Sequence, residues 1–181
     1  MNVRESTPSD VSAVVVRRAV ESDAGELLQL RKGVFAETEY MLLEPVEFSD
    51  TEEDERRRIA HLNREPNSAC FVAVVDGAIV GFLSAMGGQV NRLRHSVKLA
   101  LGVRRSCWGR GAGKALLDAA LAWSRDAGLR RVELTVHTTN ERAVSLYKSA
   151  GFEIEGVRRS SLRVAGRYVD EYSMAVIHDD A

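Results

Sequence analysis

The chain has 181 residues, 45% of them hydrophobic and 28% charged, with a formal net charge of −1. That composition fits one globular domain with its own core, and a balance so close to neutral excludes nucleic acid or an anionic membrane surface as the principal partner. No apolar run is long enough to span a bilayer and no signal-peptide order opens the chain, which predicts no membrane association and a cytoplasmic location.

Residues 1–13 are polar and aperiodic and predict a disordered tail, leaving 14–178 as a single domain. Val14 to Arg17 reads as a short strand, and Ser22 as the cap of a helix carrying Ala24, Leu27, Leu30 and Val34 at helical spacing. The stretch Glu37 to Pro45 mixes carboxylates with apolar side chains. It is either a connecting loop or a loop closing over an amine, in which case Glu39 and Tyr40 touch the acceptor. A second helix follows a Ser49/Glu52 capping box; its apolar side is thin, mainly Ile59 and Leu62, and predicts weak anchoring and mobility. Ala69 to Val75 and Ile79 to Ala85 flank Asp76-Gly77, a strong hairpin signal. His95 to Val103 alternates as a fourth strand. The two cysteines, Cys70 and Cys107, are too few for a disulfide framework and lack metal-ligand spacing, so no metal is expected. Cys70, inside an apolar run, reads as core.

The next stretch, Trp108-Gly109-Arg110-Gly111-Ala112-Gly113-Lys114, lies between that strand and a helix predicted from about Gly111 to Ala127. Alternate glycines let a ligand approach the backbone, and the first N–H groups of a helix have no intrahelical partners. With Arg110 and Lys114 alongside, the turn suits a pyrophosphate. Its spacing is not that of a P-loop, because three residues separate Gly109 from Gly113 and Ala115 follows Lys114. A dinucleotide fingerprint would need glycine at position 114. Arg131 to His137 is a further strand, so strand, helix and strand form a crossover with a parallel pair.

Beyond it, Asn140 reads as a helix cap, Ala143, Leu146 and Ala150 as an apolar stripe, and Gly151 as the helix end. Tyr147 lies seven residues from Asn140, about two turns along roughly the same face.

Gly-x-Gly-x-Gly followed by Asn-x-x-Ala-x-x-x-Tyr-x-x-x-Gly-Phe resembles the two signatures of the GNAT N-acetyltransferases, over roughly Leu99 to Phe152. The tail, including Gly166-Arg167-Tyr168-Val169-Asp170-Glu171, is similar to the bacterial subgroup of L-amino-acid N-acetyltransferases and ribosomal-protein N-terminal acetyltransferases. The resemblance implies an α/β fold with a mixed, mainly antiparallel sheet of six to seven strands flanked by helices, its central parallel pair splayed for acetyl-CoA. It also implies that backbone groups at Leu101 and Val103 meet the pantetheine arm, that Trp108 through Lys114 and Asn140 hold the cofactor, and that Tyr147 protonates the departing thiolate. Trp108 stands where Gln or Arg is usual.

The family's frequent Glu base corresponds here to Thr135, which cannot serve. His137, Glu133 or His95 through water are the remaining bases, and His137 reads equally as a strand-end residue in solvent. Deprotonating an α-amine at neutral pH costs about 1 kcal/mol, against about 4.6 for lysine. With a weak base the smaller cost favours a small amino-acid or peptide α-amine over a polyamine, aminoglycoside or protein lysine. Tyr168 either lines the acceptor site or lies on a polar outer face. A non-catalytic acetyl-CoA sensor and a homodimer through the C-terminal strands are both compatible with the sequence.

Overall fold

The computed structural model describes residues 13–179. The elements in chain order are β1 (Val15–Arg18), α1 (Ala24–Glu37), α2 (Glu52–Arg64), β2 (Ala69–Val75), β3 (Ala78–Gly87), β4 (Ser96–Val103), α3 (Ala112–Asp126), β5 (Arg131–His137), α4 (Glu141–Ser149), β6 (Glu153–Val164) and β7 (Arg167–Ile177). One seven-stranded sheet runs β1-β2-β3-β4-β5-β7-β6. Within it β4 and β5 pair in parallel, and the other neighbours are antiparallel. This is the mixed, mainly antiparallel sheet expected. The expected tail lies outside the described residues apart from Ala13.

Strand alternation sends side chains to two cores. Val97, Leu99, Val132, Leu134 and Met174 pack with Leu116, Leu117 and Ala120 of α3. On the opposite face Leu27, Leu30 and Val34 of α1 and Ile59 and Leu62 of α2 cover Val72 and Phe82. Each such fully buried Leu or Ile contributes about 1.5–3 kcal/mol relative to exposure. Among the described residues no helix is long and apolar enough to cross a membrane.

The hairpin at Asp76-Gly77 forms as expected, with φ of 52° and 80°, the paired positive values of the tight turn that matches strand twist. The end of α3 also follows its sequence. Gly128 N–H donates to Arg125 O and Leu129 N–H to Ser124 O, both at 2.9 Å, closing the orphan carbonyls around a positive-φ glycine.

Three local expectations are corrected. Ser22 does not cap α1, because a 3-10 turn spans Glu21–Asp23 and the Asp23 carboxylate instead accepts from Val20 N–H at 2.8 Å and from Arg17 at 2.6 and 2.8 Å. Asp23 stands at the N-cap position of α1, whose first turn has no side-chain cap hydrogen bond. The box before α2 is Thr51 with Asp54, not Ser49 with Glu52: Asp54 N–H donates to Thr51 Oγ1 at 3.2 Å and Thr51 N–H to the Asp54 carboxylate at 2.9 Å. That helix is also firmly seated, since Ile59 and Leu62 are buried and Glu55 is 0% exposed beside Arg31 and Arg58.

Candidate active site

Pairing between β4 and β5 runs only from Ser96↔Arg131 to Lys98↔Glu133, after which the strands part. Backbone direction along β4 follows from its ends. Arg131 N–H donates to His95 O at 3.0 Å, and Arg104 N–H donates to Val80 O at 2.9 Å. Because successive peptide groups point to opposite sides, the main chain of Leu99, Leu101 and Val103 faces the gap while the even residues face β3. The Val103 carbonyl accepts from Trp108 Nε1 at 2.7 Å, so it is committed to the protein, and Leu99 and Leu101 carry the strand-like donors and acceptors along the opening.

At the end of β4 the chain turns into α3. Gly109 and Gly111 have φ of 75° and 86°, a left-handed backbone that glycine adopts without strain. The first intrahelical bond is Ala115 N–H to Gly111 O at 2.9 Å, which leaves the N–H groups of Ala112, Gly113 and Lys114 as first-turn donors. Gly113 serves packing instead of ligand approach: a Cβ there would sit 3.0 Å from Leu146 Cδ2. Arg110 is exposed, and Lys114 Nζ pairs with Asp118 at 2.6 Å on the helix surface. The sequence motifs do not point to Arg142, whose guanidinium lies 4.5 Å from the Trp108 ring centroid while Arg105 lies 5.7 Å from it. Glu37, at the end of α1, accepts from Arg105 N–H at 2.7 Å and ties that helix to the loop.

The cationic loop, the first-turn donors and the unpaired edge of β4 are the chemistry that a diphosphate bearing an amide-containing arm requires. Cys107 is buried beside the loop, and burial pushes the Cys70 thiol up to about 12, consistent with a core residue.

Asn140 caps α4, its Oδ1 accepting from Ala143 N–H at 3.2 Å. Tyr147 on the same helix is buried against Phe152, ring centroids 5.8 Å apart, in the packed cluster that includes Leu99 of β4 and Leu134 and Val136 of β5. Burial pushes its phenol up to about 12, so it holds its proton at neutral pH.

The other face of β5 carries Glu133, Thr135 and His137. His137 is 4% exposed, not a solvent residue, and its Nε2 is buried without a hydrogen-bond partner among the described residues. Tyr40, from the loop after α1, packs edge-on against its ring at 5.4 Å. In the β5–β7 register His137 lies opposite Glu171, so the two side chains share that face. Glu171 is buried and accepts from Ser161 Oγ at 2.5 Å and Arg158 at 3.3 Å. No local sequence signal marks it, because only the strand register brings it beside His137.

The remaining predicted positions lie elsewhere. His95 is exposed in the turn before β4, about 10 Å of strand before Lys98, at the closed end of the pair. Glu133 is held by Arg131 Nε at 2.6 Å, and Arg131 also grips Glu155. Glu39 is exposed, and Tyr168 is 72% exposed near the tip of the β6–β7 hairpin, on the outer surface.

A cavity of about 530 Å³ opens on the α1/α2 face of the sheet. Met41, Leu42 and Leu43 of the loop after α1 form part of its wall, together with Arg31, Phe82 and Ser84. Ala100, opposite Ser84 in the β3–β4 register, places one end of the cavity where β4 has left β5.

The chain matches the acetyltransferase (GNAT) family over residues 35–152, more than half its length. L-amino acid N-acetyltransferase AaaT of Escherichia coli strain K12 is 37% identical over 112 residues, 61% of this chain and 68% of that protein. A GNAT-family acetyltransferase structure from Streptococcus pneumoniae superposes with a TM-score of 0.89 at 30% identity, covering 92% of this chain and 100% of that one. The structure of yncA from Salmonella typhimurium with its cofactor acetyl-CoA shares the fold, with a TM-score of 0.84 at 17% identity over 94% of this chain and 96% of that one. A cationic glycine turn, a splayed parallel pair and a buried tyrosine across it thus coincide with the matched segment, and the chain belongs to the GNAT family of N-acetyltransferases.

Proposed function

We propose that the protein transfers the acetyl group of acetyl-CoA to the α-amine of a small amino acid or peptide, in the cytoplasm. The observation that carries this reading is the β4–β5 gap, with a protonated phenol on its α4 side and a cavity and a buried imidazole on its α1/α2 side. Two proton transfers of opposite sense therefore have separate places.

Bound acetyl-CoA supplies an acetyl group activated as a thioester. The first-turn N–H groups of α3, with Arg110 and Arg142, hold the diphosphate, and the main chain of Leu99 and Leu101 orients the arm. Tyr147 donates its proton to the departing sulfur, a role open to it because a phenol is neutral at pH 7. His137 takes the proton of the acceptor ammonium, and Glu171 lies opposite it in the β5–β7 register. The loop from Thr38 to Pro45 covers the acceptor, with Tyr40 over His137 and Met41 over the cavity. The preference for an α-amine rests on the lower cost of deprotonating it, and the name of the Escherichia coli relative agrees with it.

The test is CoA release from acetyl-CoA with a panel of amino acids, peptides, polyamines, aminoglycosides and lysine peptides, with Tyr147→Phe in parallel. Release dependent on an α-amine and reduced by about 100-fold or more in the variant is the expected result. Saturable acetyl-CoA binding without release from any acceptor is the outcome of a non-catalytic sensor.

A further inference from the structure

Arg31 projects from α1 into the middle of a hydrophobic face. It is 8% exposed, and its guanidinium carbon lies 5.0 Å from the Phe82 ring centroid, 5.3 Å from Phe48 and 5.7 Å from Phe35. A side chain with five N–H donors is costly to desolvate in such a place, and buried donors normally find acceptors. Here the Nε is fully buried without a hydrogen-bond partner among the described residues. The carboxylate of Glu55 stands 3.7 Å away, which balances charge without accepting a bond. Both Glu55 oxygens likewise lack hydrogen bonds, and burial raises that carboxyl above its ordinary range while Arg31 and Arg58 oppose the shift. A second buried donor, the Ser84 hydroxyl, also lacks a partner. Both residues line the cavity, which extends to Ala100 on β4 beyond the last β4–β5 pair.

Resting on the transferase reading above, we infer that Arg31 and Ser84 form the anion subsite for the acceptor's own carboxylate, so that the acceptor is a free α-amino acid and not a peptide N-terminus. The guanidinium fork matches a carboxylate, and the bond is charge-assisted on both sides. Burial pulls the Arg31 pKa down, with Glu55 opposing, so an incoming anion relieves a desolvated cation. The remaining wall selects the side chain. Phe35, Met41, Leu62, Phe82 and Met86 make most of it apolar, with Arg58, His61 and Gln89 among its polar members, which suits an apolar side chain over a cationic one.

The experiment compares L-methionine and L-phenylalanine with their amides, with methionyl dipeptides and with phenylethylamine. Two measurements are made on wild type, Arg31→Lys and Ser84→Ala: CoA release, and the melting-temperature shift produced by each compound in the presence of CoA. The expected result is a preference for the free acids by about 10- to 100-fold in kcat/KM, the size of one or two bonds to a charged group. Arg31→Lys and Ser84→Ala each reduce that preference, lowering kcat/KM for the free acids more than for the amides. Equal use of acids and amides by the wild type would overturn the subsite, as would equal losses for both in the variants. Should no compound release CoA, the transferase reading fails, and the melting shift alone decides the subsite: a shift by the acids and not the amides supports it, and no shift by either refutes it. Ser84→Ala removes one hydroxyl and still tests the subsite if Arg31→Lys does not fold.

Discussion

The guanidinium of Arg142 lies 4.5 Å from the centroid of the Trp108 ring, whose Nε1–H donates to the Val103 carbonyl at 2.7 Å. One chain of contacts thus joins the first turn of α4, the glycine loop and the end of β4, and the residue at the family's usual Gln or Arg position serves as its link. Trp108→Phe keeps an aromatic ring and deletes the donor, with an expected loss of about 0.5–1.5 kcal/mol in denaturant-determined stability. Arg142→Gln removes a cation beside the loop and is expected to raise the acetyl-CoA Kd several-fold at low salt. That deficit shrinks as ionic strength approaches about 0.15 M, where screening acts within about 8 Å. Titration calorimetry at two salt concentrations measures it, and an affinity unchanged at low salt would remove Arg142 from the anion site.

Gly111 and Gly113 separate conformational from packing demands within one motif. At Gly111 φ is 86° and a Cβ would meet nothing within 4 Å, so Gly111→Ala suffers from backbone strain alone, about 1–2 kcal/mol. The strain is relieved by turning the loop, so weaker acetyl-CoA binding accompanies the loss of stability. In Gly113→Ala the new methyl lies 3.0 Å from Leu146 Cδ2, the end of a flexible side chain, and the gain in helix propensity offsets its displacement. Urea midpoints and acetyl-CoA affinity distinguish the two: the larger loss in both belongs to Gly111→Ala.

These glycines, the Asp76-Gly77 turn and the Asn140 cap are legible in the sequence because each acts within a few residues of itself. Caps are legible only by class. Ser22 leaves α1 without a side-chain cap because a 3-10 turn held by Asp23 and Arg17 precedes it. Near α2 the choice between Ser49 and Thr51 turns on which lies three residues before the helix's own Asp54. The acceptor side is mostly hidden. Arg31, Ser84 and Glu171 belong to α1, β3 and β7 and acquire meaning only when the sheet register and helix docking bring them to one face. His137 stands out because it ends the crossover strand, yet its burial under Tyr40 depends on a loop without periodicity.

Asp23 offers a pH-linked test of the N-terminal clasp. Its carboxylate, hydrogen-bonded first by Arg17 and also by Val20 N–H, is held below its ordinary value of 3.8. A depressed folded-state pKa adds stability that is present above 3.8 and is lost as pH falls through the lower folded value. Asp23→Asn is therefore expected to cost about 1–3 kcal/mol at pH 7, the worth of bonds to a charged group. The gap between variant and wild type starts to narrow as pH falls below 3.8 and closes as it passes the lower folded value. Denaturation curves at pH 7, 5 and 3 check it; a gap that persists undiminished at pH 3 would show that the carboxylate's charge is not what stabilises the turn.

The pairing of His137 with Glu171 across β5 and β7 gives the transferase reading its sharpest kinetic consequence. If His137 removes the acceptor's proton, His137→Gln leaves only the neutral fraction of the amine to react, and kcat/KM falls by about 5- to 10-fold at pH 7 and about 50-fold at pH 6. The same loss must fade as pH rises, because an α-amine with a pKa near 7.8 arrives already neutral in alkaline solution. The deficit should then narrow by up to about tenfold for each pH unit below that value and level off above it. Glu171→Gln, which keeps an acceptor for Ser161 and removes the charge opposite the imidazole, is expected to weaken the base with a smaller deficit of the same pH dependence. Initial rates from pH 6 to 9.5 with acetyl-CoA saturating separate the possibilities. A deficit independent of pH in both variants would mean that His137 and Glu171 support the site without carrying the acceptor's proton, since a positioning defect does not respond to the protonation state of the amine.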